Sequence, residues 1–379
     1  MKKLFCIILG LAFSMALCFD LCFAEDDEKS KEFCTATVLA EASTGTIICS
    51  ENADVKMSQG SLCKLMTILL TAEEIDDGKL LIDEKLTASA NANSQQGAVI
   101  WLMQGENISV DELLKAVIIG NANDASVVLA EHIAGSEEEF VNMMNARAFE
   151  LGMRNTVYKS CVGADVSGQY STAEDTMILA AELLKHDFLQ KYFTTWIDNV
   201  RSGQTELVNE NRLVRTYDGI TGMKAGRSLE SGFSLVLTAK REQSSFISVV
   251  MGCEDKDERF NMGKSLMATG FSSYKVTTPA FSDEFLRPVK VRGGKQSSVM
   301  LKAESLTELV VPKSSGEMST AVLIPEYIDA PVKKGQVAGR VGFYNGDTLL
   351  YETNLVACED IEKNDFAYSI RKILYIIYK

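Results

Sequence analysis

Histidine is almost absent from this chain of 379 residues, which holds only His132 and His186. His132 falls in the helical run Val127-Val128-Leu129-Ala130-Glu131-His132, and His186 ends another helix, where a cation suits the dipole. Both are read as structural, which argues against a Ser-His-Asp hydrolase. Cys-x-x-C does not occur, which argues against zinc and thioredoxin-like readings. Basic residues are outnumbered, 38 Lys and Arg against 52 Asp and Glu, for a formal charge of −14. Such a chain is a poor binder of nucleic acid, and no nucleic-acid partner is expected. Proline is scarce and confined: Pro279, Pro288, Pro312, Pro325 and Pro331 are the whole set. Their clustering marks a change of character near residue 275.

The first residues are read as a processing signal. Lys2 and Lys3 precede an apolar run from Phe5 to Leu17, and Cys22-Phe23-Ala24 offers the small residues of a cleavage site before Glu25-Asp26-Asp27. The expected leader is residues 1–24. Loss of Lys2, Lys3 and Asp20 with it takes the charge from −14 to −15. An exported protein is expected, working on the extracytoplasmic face of the membrane or in the cell wall. Nine cysteines then fall to six: Cys34, Cys49, Cys63, Cys161, Cys253 and Cys358. Cys34 and Cys49 lie on an expected hairpin and are possible neighbours; free buried thiols are the alternative.

Hydrophobic residues make up 46% and charged residues 24%, enough apolar material for a large core. Strands are expected over 33–41, 46–50, 232–241 and 245–253, and helices from Asp111, from the Ser136 and Thr172 capping boxes, and over 257–269. With strands at both ends and helices between, the simplest fold is an α+β domain over 25–275, an antiparallel sheet beside a helical block. Residues 276–362 predict a small all-β domain, with Asn345-Gly346 as a hairpin turn. Over 363–379, Phe366, Ile370, Ile373, Leu374 and Ile377 recur at helical spacing beside Arg371, Lys372 and Lys379. This amphipathic helix either lies on a membrane surface or packs on the β domain.

The chemistry centres on Ser61-Leu62-Cys63-Lys64. Ser and Lys three apart share one face of a helix, so an amine can activate the hydroxyl without histidine. The pattern is short and gains meaning only with companions: a polar loop, and a strand bearing a cation and a glycine. For the loop, Ser50-Glu51-Asn52 and Ser89-Ala90-Asn91 lack the setting between two helices. Asn121-Ala122-Asn123 has it. For the strand, Lys333-Lys334-Gly335 lies in the β domain, whereas Lys224-Ala225-Gly226-Arg227-Ser228 precedes two strong strands.

The ordered set resembles the low-molecular-mass penicillin-binding proteins, the S11-type D-alanyl-D-alanine carboxypeptidases, over nearly the whole mature chain. The likeness rests on Ser61 to Thr67, Gly105-Glu106, Asp111 to Lys115, Ala122 to Ala125, Leu129 to His132, Ser171 to Asp175 and Gly222 to Gly226. It implies the β-lactamase/transpeptidase-like fold and an acyl-enzyme mechanism without metal or cofactor. Ser61 would be the nucleophile and Lys64 the general base. Asn123 would bind substrate amide and help hold Lys64. The N–H groups of Ser61 and Arg227 would form the oxyanion hole. Asn121, Lys224, Gly226, Arg227 and Ser228 would contact substrate. The implied partners are the peptidoglycan stem peptide and β-lactam antibiotics.

Two polar positions depart from the family pattern, and Gly60 and Cys63 also differ from the residues often found beside the lysine. Asn121 stands where Ser is usual, and Ala225 where Thr is usual, although Ser228 retains a hydroxyl nearby. A carboxamide does not relay a proton as a hydroxyl does. A relative that binds wall peptide without efficient turnover is therefore the second expectation. A serine β-lactamase is the third, since it needs a positioned carboxylate for deacylation and gains nothing from the β domain.

Overall fold

The computed structural model describes residues 34–378 apart from 164, 165, 280, 284 and 285. The leader expected over 1–24 lies outside the described residues. Strand β1 (Cys34–Glu41) is buried along almost its whole length, which places it inside the sheet rather than at an edge. With β2 (Ile47–Glu51), β3 (Ile220–Ser228), β4 (Gly232–Arg241) and β5 (Ser244–Cys253) it builds a five-stranded antiparallel sheet, in the order β2-β1-β5-β4-β3. The N- and C-terminal strands of the domain therefore meet in one sheet, as the sequence pattern predicts.

The helices between them fill one face. α1 (Lys64–Asp76) buries every residue from Lys64 to Ala72, as a helix apolar nearly all round must. α2 (Val110–Ile118) opens on a Ser109/Glu112 capping box. α3 (Asn123–Ala134) follows after a short loop, and α4 (Glu137–Glu150) and α5 (Ala173–Leu183) start at the Ser136 and Thr172 caps. Their side chains form one apolar cluster with Val38, Val236, Ile247 and Val249. The alternate residues Leu39, Leu235, Leu237 and Val250 face the other way, onto Phe260 and Met267 of α6 (Glu258–Ser273). The result is a sheet covered on both faces.

The cysteine expectation is corrected. Cys34 forms a disulfide with Cys253, its partner across the β1/β5 register, and Cys49 stands opposite Leu39 as an exposed free thiol. The pairing spans 219 residues, so hairpin proximity in sequence could not reveal it. The histidines behave as expected of structural residues: His186 Nδ1 lies 2.5 Å from Asp76 and His132 Nε2 3.8 Å from Glu84.

Beyond α6 the chain turns to short strands. Residues 274–277 pair with 309–312, and a four-stranded sheet joins 301–303, 348–357, 337–345 and 319–323. Its long hairpin turns at Asn345 and Thr348, where Asn-Gly predicted it. The last helix, α7 (Phe366–Ile377), is capped by Asp365 and tied down by Tyr368 Oη donating to the Lys295 carbonyl at 2.9 Å. Phe366, Ile373 and Leu374 stay exposed instead of packing on the β domain. Among the described residues no helix is long and apolar enough to cross a membrane.

Candidate active site

Three elements converge at one edge of the sheet. The first is the helical entry: Gly60–Cys63 forms a tight 3-10 turn that leads directly into α1. Ser61 lies in this turn and is part-exposed, while Lys64 one turn on is 1% exposed. The second is the loop between α2 and α3, with Asn121 at φ +57° and Asn123 opening α3. The third is β3, an edge strand whose outer side is left for the helix turn and for ligand.

The contacts between these elements are specific. The Arg227 N–H donates to Ser61 Oγ at 3.2 Å, so the hydroxyl already sits on a backbone donor of the strand. Gly226 makes this approach feasible, because a Cβ there would stand 2.8 Å from Leu62 Cγ. Gly60 does the same from the other side: its φ is +49°, and an added Cβ would meet the Arg227 carbonyl oxygen at 2.1 Å. Gly60→Ala is therefore expected to push the turn off the strand and lower penicillin acylation by about 10²-fold, since a displacement near 1 Å costs that much. Stopped-flow acylation against the melting temperature checks this; an unchanged rate in a folded variant would refute it.

Both lysines are buried and each ammonium has a carbonyl partner. Lys64 Nζ donates to the Val162 carbonyl at 2.6 Å. Lys224 Nζ donates at 3.1 Å to the carbonyl of Val117, at the C-terminal end of α2 where the helix dipole favours a cation. Burial pulls Lys64 down to about 8, against the smaller opposing influence of neighbouring thiols. Burial, and then repulsion from Lys64, pulls Lys224 down to about 7. Both amines are thereby brought near neutral in basicity, and the charge of Lys64 weighs on Lys224.

Several expected contacts differ in detail. Asn123 does not reach Lys64 in the structure: its Nδ2 donates to the Gln96 carbonyl at 2.6 Å, tying α3 to the 96–98 loop. The loop Ser160–Gly163 holds the first helix turns instead. Its carbonyls accept from Cys63 Sγ, Lys64 Nζ and Thr67 Oγ1. Sequence reading missed this loop because backbone carbonyls carry no side-chain signal. Cys63 faces inward, away from the groove, and its thiol is pushed up to about 12 by burial. Ser228 Oγ accepts from the Glu230 and Ser231 N–H groups and so caps the β3–β4 turn. Ala225 is buried in the apolar cluster on the α6 face of the sheet. Asn121 Oδ1 is buried with no hydrogen-bond donor among the described residues.

A serine on an oxyanion-type N–H, one helical turn from a buried lysine of lowered basicity, suits an acyl-transfer enzyme. The comparisons agree. Residues 25–255 match the D-alanyl-D-alanine carboxypeptidase family, and residues 274–363 match the C-terminal domain of penicillin-binding protein 5. The chain belongs to the D-alanyl-D-alanine carboxypeptidase family. It is 34% identical to the D-alanyl-D-alanine carboxypeptidase DacF of Bacillus subtilis over 344 residues, 89% of this chain and 88% of that one. It is 31% identical to DacC of Escherichia coli over 87% of this chain and 85% of that one. Penicillin-binding protein 5 of Haemophilus influenzae superposes with a TM-score of 0.79 at 27% identity, covering 87% and 98% of the two chains. The ampicillin-bound penicillin-binding protein D2 of Listeria monocytogenes superposes with a TM-score of 0.58 at 29% identity, covering 63% and 98%.

Proposed function

We propose that this family member works as a serine D-alanyl-D-alanine carboxypeptidase through Ser61 and Lys64, removing the terminal D-alanine from peptidoglycan stem peptides. The observation that carries the reading is the Arg227 N–H on Ser61 Oγ, with Lys64 buried one turn away. Ser61 Oγ attacks the carbonyl between the two D-alanines and passes its proton to neutral Lys64 Nζ. The N–H groups of Ser61 and Arg227 receive the oxyanion. The amine of D-alanine takes the proton as it leaves, and water then hydrolyses the ester at Ser61, returning the serine. Lys224 supplies positive charge to the substrate's terminal carboxylate, with Ser228 and Gly226 lining the strand beside it. Asn123 and Asn121 meet the substrate's amide groups from the loop between α2 and α3.

β-Lactams carry a strained amide and a carboxylate in place of that substrate and acylate the same serine. The test is mass spectrometry of the protein after reaction with a fluorescent penicillin, together with assay of D-alanine released from a D-Ala-D-Ala peptide. Label on a peptide other than the one holding Ser61, or no D-alanine, would overturn the reading. The family relationship favours turnover over the binding-only alternative.

Two further parts of the reading concern the setting. The peptidase domain ends near residue 275, the β domain fills 276–362, and residues 363–379 form a separate tail. The exposed apolar side of α7, with Arg371 beside it, suits a membrane surface. This fits a protein exported to the outer face of the membrane. Deleting 363–379 should abolish co-sedimentation with phosphatidylglycerol vesicles; equal binding by the truncated protein would refute the surface role.

A further inference from the structure

Arg259 of α6 is 3% exposed and lies on the far side of the sheet from Lys64. Lysine and arginine are rarely buried this deeply without a task for their charge. Each of its three nitrogens is engaged. Nη1 donates to the Gly226 carbonyl at 2.7 Å and, at 3.3 Å, to the Ser234 carbonyl opposite it in β4. Nε donates to the Lys256 carbonyl at 3.2 Å, and Nη2 pairs with Glu210 at 2.9 Å. The rings of Phe233 and Phe260 lie 5.2 and 4.8 Å from the guanidinium carbon.

The Gly226 carbonyl and the Arg227 N–H belong to one peptide group. In a trans peptide they point in opposite directions. The arginine therefore grips the rear of the same amide whose front N–H touches Ser61 Oγ at 3.2 Å. A charge-assisted bond to a peptide oxygen draws electron density from the nitrogen and makes its N–H a stronger donor. It also fixes the direction of that N–H, because the amide is planar and its other end is anchored.

We infer that Arg259 is a positioning residue of the oxyanion hole, polarising and orienting the Gly226–Arg227 peptide from behind. The inference rests on the proposed role of the Arg227 N–H and adds the group that sets its strength. Glu210 is the counter-ion that keeps the guanidinium aimed. The benefit falls on the tetrahedral states, so kcat and acylation rate depend on Arg259 more than KM does.

The test is isotope-edited infrared spectroscopy of the acyl-enzyme, made from the full chain and a penicillin labelled with 13C at its β-lactam carbonyl. The stretch of the ester carbonyl at Ser61 reports the hydrogen bonds it receives. In Arg259→Gln the band moves to higher wavenumber, and acylation slows roughly tenfold with little change in KM. Arg259→Lys cannot span Gly226, Ser234 and Glu210 together, so it shifts the band in the same direction by less. If Arg259→Gln does not fold, the Lys variant decides. A folded variant with a lower melting temperature and an unmoved band means a purely structural arginine and overturns the inference. A wild-type protein that forms no ester at Ser61 would instead overturn the site reading beneath it.

Discussion

Ser61→Ala is expected to reduce D-alanine release to the uncatalysed level and to abolish covalent labelling by penicillin. Removing the nucleophile of a serine hydrolase costs on the order of 10⁶ in turnover. The hydroxyl stands on the Arg227 N–H at the mouth of the site, and Ser61 is part-exposed, so its loss leaves no cavity in the core. The fold should therefore be retained, and binding of uncleaved peptide with it. Nearby hydroxyls cannot stand in: Ser228 caps the β3–β4 turn, and Ser160 Oγ accepts the Val162 N–H. Assay of released D-alanine beside gel fluorescence of penicillin label reads both effects. Residual labelling of the variant at the wild-type rate would remove Ser61 from the reaction.

The second large effect concerns Lys64 and its titration. In the proposed mechanism neutral Lys64 takes the serine proton, so raising pH increases the active form. With Lys64 lowered to about 8 and Lys224 to about 7, the pair passes through a singly protonated state between these values. The reaction uses the singly protonated form with Lys64 neutral as base and Lys224 charged for the substrate carboxylate; because Lys224 gives up its proton more readily than Lys64, this is the minor of the two such forms. Acylation should rise about tenfold per pH unit below that window, peak within it, and fall above it as the second proton leaves. Lys64→Met should lower kcat by about 10²–10⁴-fold. It leaves the Val162 carbonyl unpaired, a cost of about 1–3 kcal/mol, but relieves the chain of a buried charge, so the fold should survive. The rising limb disappears with the base. The falling limb, set by Lys224, remains, because Lys64 is already neutral in the form that loses this proton. A variant that keeps the rising limb would assign the base elsewhere.

Much of this architecture follows from local rules. Ser136 and Thr172 accept the N–H groups of Glu139 and Asp175 as their capping patterns require, and Asn345-Gly346 turns the hairpin of the β domain. The scarcity of histidine pointed to a lysine base. The spacing of Ser61, Lys64, Asn121–Asn123 and Lys224–Ser228 supplied the parts of the proposed site. Helix caps, turns and i to i+3 spacing act over a few residues, so they can be read from the chain.

What acts across the fold could not be read that way. Cys34 chooses Cys253 over Cys49 because β5, not β2, faces it in register. Lys64 is held by the carbonyl of Val162, and the Gly226–Arg227 peptide by Arg259, contacts over sequence separations of 98 and 33 residues. The lysines' lowered basicity arises from burial, a property of the packed core and not of the motif. The sequence alone nominated the groups proposed for the chemistry: a serine and a lysine on one helical face, with a second lysine and a glycine on a strand. Only the tertiary structure decided how that serine is armed, because aiming an N–H and desolvating an amine both need neighbours that the chain brings from far away.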